Sequence, residues 1–126
     1  MAPRCIAELR TYLERGNWKV SVPGVISPTP EMRFDFSLLA EDQKGRKLVA
    51  EFINGGDNNF QIITSFYAKA MNAGADSLSL VAVPQLSPEE SSFAEYCSMK
   101  VIQANDPSEL SYTLNHQLEV RQAGPN

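Results

Sequence analysis

Few side chains in this sequence could do chemistry on their own. Cys5 and Cys97 lack the close pairing of metal-ligating cysteines, and each falls where a helix is expected and a small apolar residue would also serve, so both are expected as buried or half-buried thiols. His116 is the only histidine, which excludes a histidine-rich zinc centre and leaves a Ser/His/Asp triad dependent on that one position. The stretch Asn54-Gly55-Gly56-Asp57-Asn58-Asn59 fits a wide turn or a backbone-amide cradle for an anion, yet it has neither the spacing nor the lysine of a Walker loop. Lys69 shares a helix flank with Gln61, Ser65 and Asn72, a polar face in the simplest reading.

The 126 residues and 43% hydrophobic content supply one core, so residues 1–119 are expected to form a single domain with 120–126 as a frayed tail. No apolar run is long enough to span a bilayer, and the first residues lack the pattern of a secretory signal; a cytoplasmic protein with no membrane partner is expected. A formal net charge of −4 argues against nucleic-acid binding through a basic surface alone. Contact with DNA would then need a second subunit, a partner protein or divalent cations to offset the phosphate charge.

The elements that would position these residues follow from periodicity. Ile6, Leu9 and Leu13 share a face over residues 3–15, with Gly16 as the stop of a first helix. Trp18 to Val22 alternates like a half-buried strand and ends at Pro23-Gly24, and Ser27-Pro28-Thr29-Pro30 is expected as loop. A second strand follows, with Phe34, Phe36 and Leu38 on one face and Asp35, Ser37 and Leu39 on the other. A turn over 41–46 returns the chain into a third, antiparallel strand, Lys47 to Ile53. Phe60, Ile63, Tyr67 and Met71 recur at helical spacing before Gly74, and the uncharged run Leu78 to Val83 reads as a strand covered on both faces. Ser87-Pro88-Glu89-Glu90 writes a capping box for a third helix, Val101-Ile102 a last short strand, and Asp106-Pro107-Ser108-Glu109 the start of a terminal helix with Leu110, Leu114 and Leu118 on one stripe. The expected class is α/β, three layers α/β/α around a central mixed sheet.

This order, over residues 3–105, resembles the restriction-endonuclease-like superfamily of PD-(D/E)xK nucleases, its Mrr-like and Holliday-junction-resolvase-like members in particular. The matching stretches are Glu8 in the first helix, Gly16-Asn17-Trp18-Lys19-Val20, Phe34-Asp35 and Val49-Ala50-Glu51-Phe52-Ile53. The resemblance implies that Asp35 and Glu51 hold Mg²⁺ (or Mn²⁺), which would polarise a phosphodiester and activate a water. It also implies a lysine two residues beyond the glutamate, where this sequence has Ile53. Lys69, or Lys47 at the start of the third strand, would have to bring that charge from elsewhere, and Glu8 and Gln61 are the auxiliary candidates.

Three functional readings remain open at this stage. One is a nuclease-like domain with impaired catalysis, working as a nucleic-acid-associated or protein-interaction module. Another is an active Mg²⁺-dependent deoxyribonuclease using Asp35, Glu51 and a relocated Lys69. The third is a non-enzymatic homodimer joined through a sheet edge or the terminal helix.

Overall fold

In the computed structural model, residues 2–54, 56, 58–110 and 112–114 are described, with side chains from Arg4 onward. Helix α1 (Ala2–Arg15) leads into strand β1 (Lys19–Ser21), then β2 (Gly24–Thr29), β3 (Met32–Phe36), β4 (Leu38–Glu41) and β5 (Lys47–Ile53). Helix α2 (Asn59–Ala73), strand β6 (Ser77–Ala82), helix α3 (Pro88–Tyr96), strand β7 (Met99–Gln103) and a 3-10 turn (Pro107–Glu109) complete the order. Leu110 and residues 112–114 are helical; Leu118 and the expected frayed tail at 120–126 lie outside the described residues.

Five strands form one mixed sheet in the order β1-β4-β5-β6-β7. The β1–β4 and β4–β5 pairs are antiparallel, whereas β5–β6 and β6–β7 are parallel. Parallel neighbours need a crossover, and α2 and α3 supply the two. Strand β6 is interior and buried from Leu78 through Ala82, as an uncharged run covered on both faces should be.

Alternation along β5 and β6 divides the core in two. Val49, Ile53, Leu78, Leu80 and Ala82 face Ile63, Phe66 and Ala70 of α2 and Ala94 of α3. Ala50 and Val81 face Cys5, Leu9 and Leu13 of α1, joined by Leu110 and Leu114. Helices therefore cover both faces of the sheet. Both cysteines are free thiols, Cys5 buried and Cys97 half-buried, and burial pushes the Cys5 thiol above its ordinary pKa.

Three expectations are corrected. The strand predicted across residues 34–39 is broken at Ser37 into β3 and β4, which belong to different sheets. Ser27 to Thr29, expected as loop, continues β2, and β2 and β3 pair as an antiparallel hairpin of their own. The break shifts the alternation by one residue: Phe36 and Leu39 enter the α2-side core, whereas Leu38 enters the α1-side core instead of sharing a face with Phe36. Gly24 shows why the hairpin crosses there, since a Cβ at this position would lie 2.4 Å from Leu39 Cβ and 2.6 Å from the Leu39 backbone nitrogen. Only a residue without a side chain lets β2 start against β4.

The third correction concerns α2. Its buried side chains are Asn59, Ile63, Phe66, Ala70 and Ala73, while Phe60, Tyr67 and Met71 are exposed. The helix is apolar on two sides, and the aromatic and methionine positions that fit the periodicity form the flank stripe, not the core face.

Candidate functional site

Glu51 and Ile53 sit on the face of β5 that looks toward α2, because side chains two apart in a strand share a face. Ile53 is consumed by the core, 4% exposed. The Glu51 carboxylate, 20% exposed, is instead held in place by two hydrogen bonds and an ion pair. The Ser37 amide donates to its Oε2 at 3.1 Å and the Ser37 hydroxyl to its Oε1 at 2.7 Å. Lys69 Nζ lies 3.5 Å from the same Oε2.

Lys69 reaches in from α2 and carries more than that one contact. Its ammonium donates to the Asp35 backbone carbonyl at 2.5 Å and stands 4.8 Å from the centre of the Phe36 ring, within cation–π range. One side chain thus ties α2 to the β2–β3 hairpin and to β5. Of the two lysines that could replace the cation missing at Ile53, Lys69 arrives beside Glu51; Lys47 pairs with Glu41 at 3.6 Å, four residues earlier in β5.

Asp35 contributes its carbonyl to this cluster but not its carboxylate. Alternation along β3 sends Phe34 and Phe36 inward and Asp35 outward, where its Oδ1 pairs with Arg33 Nε at 3.0 Å and the side chain is 66% exposed. Asp35 and Glu51 are each opposite their aromatic neighbours, yet these faces belong to different sheets. Glu8 lies on α1, in the layer across the sheet from Glu51.

Between β5 and α2 opens a cleft of about 450 Å³. Glu51 and Lys69 form one end of it, Asn58, Gln61 and Ser65 supply amides and a hydroxyl, and Ile62 and Phe66 supply apolar surface. The structure therefore brings together Glu51, Lys69 and Gln61 of the residues singled out in the sequence. It adds Ser37, which the sequence reading missed; the trace it leaves is a polar residue at the point where Phe36 and Leu38 cease to share a face.

As placed, these residues do not make a ready Mg²⁺ site. The cation takes oxygen ligands in octahedral array, usually from one or two carboxylates together with water and phosphate. Among the described residues one carboxylate, that of Glu51, lines the cleft, and Ser37 and Lys69 already engage it. Among the described residues no group of three or more histidine, cysteine, aspartate or glutamate side chains is arranged to hold a metal ion.

No protein family and no curated protein sequence matches this chain. Solved structures do. AF1548, a protein of unknown function, aligns with a TM-score of 0.64 and 11% identity, over 98% of this chain and 72% of its own. Can2 from Sulfobacillus thermosulfidooxidans, solved in complex with cyclic tetra-adenylate, aligns with a TM-score of 0.67 and 15% identity, over 90% of this chain and 33% of its own. The fold is restriction-endonuclease-like. VC1899 from Vibrio cholerae shares it, with a TM-score of 0.57 and 15% identity over 97% of this chain and 33% of its own. At these identities the likeness is one of architecture, and the present chain spans only about a third of Can2 or VC1899.

Proposed function

We propose that this chain is a nuclease-like domain with reduced catalysis, whose cleft associates with nucleic acid rather than cutting it. The observation behind this reading is the state of Glu51: its carboxylate is occupied by the Ser37 amide and hydroxyl and by the Lys69 ammonium, while the Asp35 carboxylate is paired with Arg33 outside. A carboxylate so engaged is a fixed part of the cleft wall. Can2, which shares the fold, was solved with cyclic tetra-adenylate, and small adenylates belong among the ligands to be tried.

Calorimetric titration of Mg²⁺ and Mn²⁺ into the wild type and into Asp35→Ala/Glu51→Ala, with plasmid nicking followed on the same samples, tests the reading. Neither metal-dependent nicking nor a heat that depends on both carboxylates is expected. Nicking that Asp35→Ala abolishes would overturn it.

A second reading, an active Mg²⁺-dependent deoxyribonuclease, is favoured by one observation, the arrival of Lys69 within 3.5 Å of Glu51 where Ile53 leaves no cation. On that reading Lys69→Ala abolishes nicking with little change in melting temperature. A homodimer, expected from the sequence through a sheet edge or the terminal helix, has in the structure a different candidate surface, the exposed stripe Phe60, Tyr67 and Met71 along α2, and light scattering that finds a monomer at all accessible concentrations removes it.

A further inference from the structure

We infer that the cleft between α2 and β5 takes a single unpaired nucleotide, and so selects single-stranded over duplex nucleic acid. This rests on the reading of the cleft as a nucleic-acid site and adds which form it accepts.

Charge is the first argument. Proteins that hold duplex DNA neutralise several phosphates with lysine and arginine side chains and dock over a broad area. Among the described residues the cleft offers one cation, Lys69, and places Glu51 beside it, so their charges cancel on a chain whose net charge is −4. Lysine has three donor hydrogens. One goes to the Asp35 carbonyl while the ammonium also lies 3.5 Å from Glu51 Oε2, which leaves donor capacity for a phosphate oxygen.

Shape and chemistry supply the second argument. A volume of about 450 Å³ lies in the range of small-ligand sites and has room for one nucleotide. The side chains beyond Lys69 are neutral. Asn58 and Gln61 each carry an amide that both donates and accepts, as the edge of a base requires, and Ile62, 40% exposed, with Phe66 behind it gives an apolar surface for the ring. In a duplex those edges and ring faces are occupied by pairing and stacking; in a single strand they are free. The base would lie against Ile62 with its edge toward Gln61, and its phosphate would face Lys69.

The test is a fluorescence-anisotropy titration of the full chain with a labelled single-stranded oligodeoxynucleotide, and with the same strand annealed to its complement. Wild type is expected to prefer the single strand at least tenfold, and Ile62→Ala to weaken that binding about tenfold, at the low end of the loss seen when an aromatic platform under a base is truncated. Ile62→Phe, which retains an apolar surface, is expected to bind the single strand within a fewfold of wild type. Melting temperatures confirm that both variants fold. Duplex binding as tight as single-strand binding, with Ile62→Ala unaffected, would overturn the selection while leaving a nucleic-acid site. Binding of neither form would remove the nucleic-acid reading itself.

Discussion

At the scale of single residues, Ser37 matters more than its size suggests. It satisfies Glu51 with two hydrogen bonds, one from the backbone and one from the side chain, so Ser37→Ala removes only the second. A hydrogen bond to a charged, partly exposed group contributes about 1–2 kcal/mol, and the variant should lose that much in urea denaturation with an unchanged m-value. Gly24→Ala should cost more, about 3 kcal/mol, because the added methyl meets the Leu39 backbone as well as its side chain and neither can move alone. Titration effects also belong here. The Ser87 backbone amide hydrogen-bonds the Glu90 carboxyl in the capping box and holds it below its ordinary pKa of 4.5. A depressed carboxyl contributes stability above the unfolded-state value and loses it as the pH falls through the folded one. Melting temperature should therefore drop as the pH is lowered below about 4.5, and less steeply in Glu90→Gln.

At the scale of elements, α2 shows where a one-dimensional pattern misleads. Both Phe60/Tyr67/Met71 and Ile63/Phe66/Ala70 satisfy helical spacing, and only the tertiary structure says which stripe meets the sheet. Ile63 is fully buried, so Ile63→Ala should cost about 2–5 kcal/mol, whereas Met71→Ala should stay within about 0.5 kcal/mol; thermal or denaturant unfolding separates the two. Elements bounded by their own local signals were legible: α3 behind its capping box, β6 as an uncharged run, β5 after its turn. The β2–β3 hairpin was not, because Pro28 and Pro30 weaken the strand signal and the strand that pairs with it, β3, reads in sequence as the first part of a longer strand through Leu39. The same hairpin separates Asp35 from Glu51. A strand reading of residues 34–39 puts both acids on one sheet, and the change of sheet at Ser37 undoes it.

At the scale of the whole molecule, the three-layer architecture was legible because alternating strand and helix signals in the second half leave few other arrangements. The placement of charge was less so, since composition gives −4 for the chain but not the neutral Lys69–Glu51 pair in its cleft. If a single cation meets a single phosphate there, affinity for a single-stranded oligonucleotide should fall only gently with salt, with a log–log slope of about −0.7 to −1. A slope several times steeper would mean that phosphates are contacted across the surface, and anisotropy titrations at several salt concentrations measure it directly.

The hydrogen bond from the Ser37 amide to Glu51 also makes the molecule its own spectroscopic indicator. That proton sits between two sheets and is bound to a carboxylate instead of a strand carbonyl, so its chemical shift and solvent-exchange rate depend on what Glu51 is doing. A ligand that draws Glu51 or Lys69 away would be registered at one resonance, in the unlabelled partner's presence and without altering a side chain, and the cleft could be watched opening from a position no ligand needs to touch.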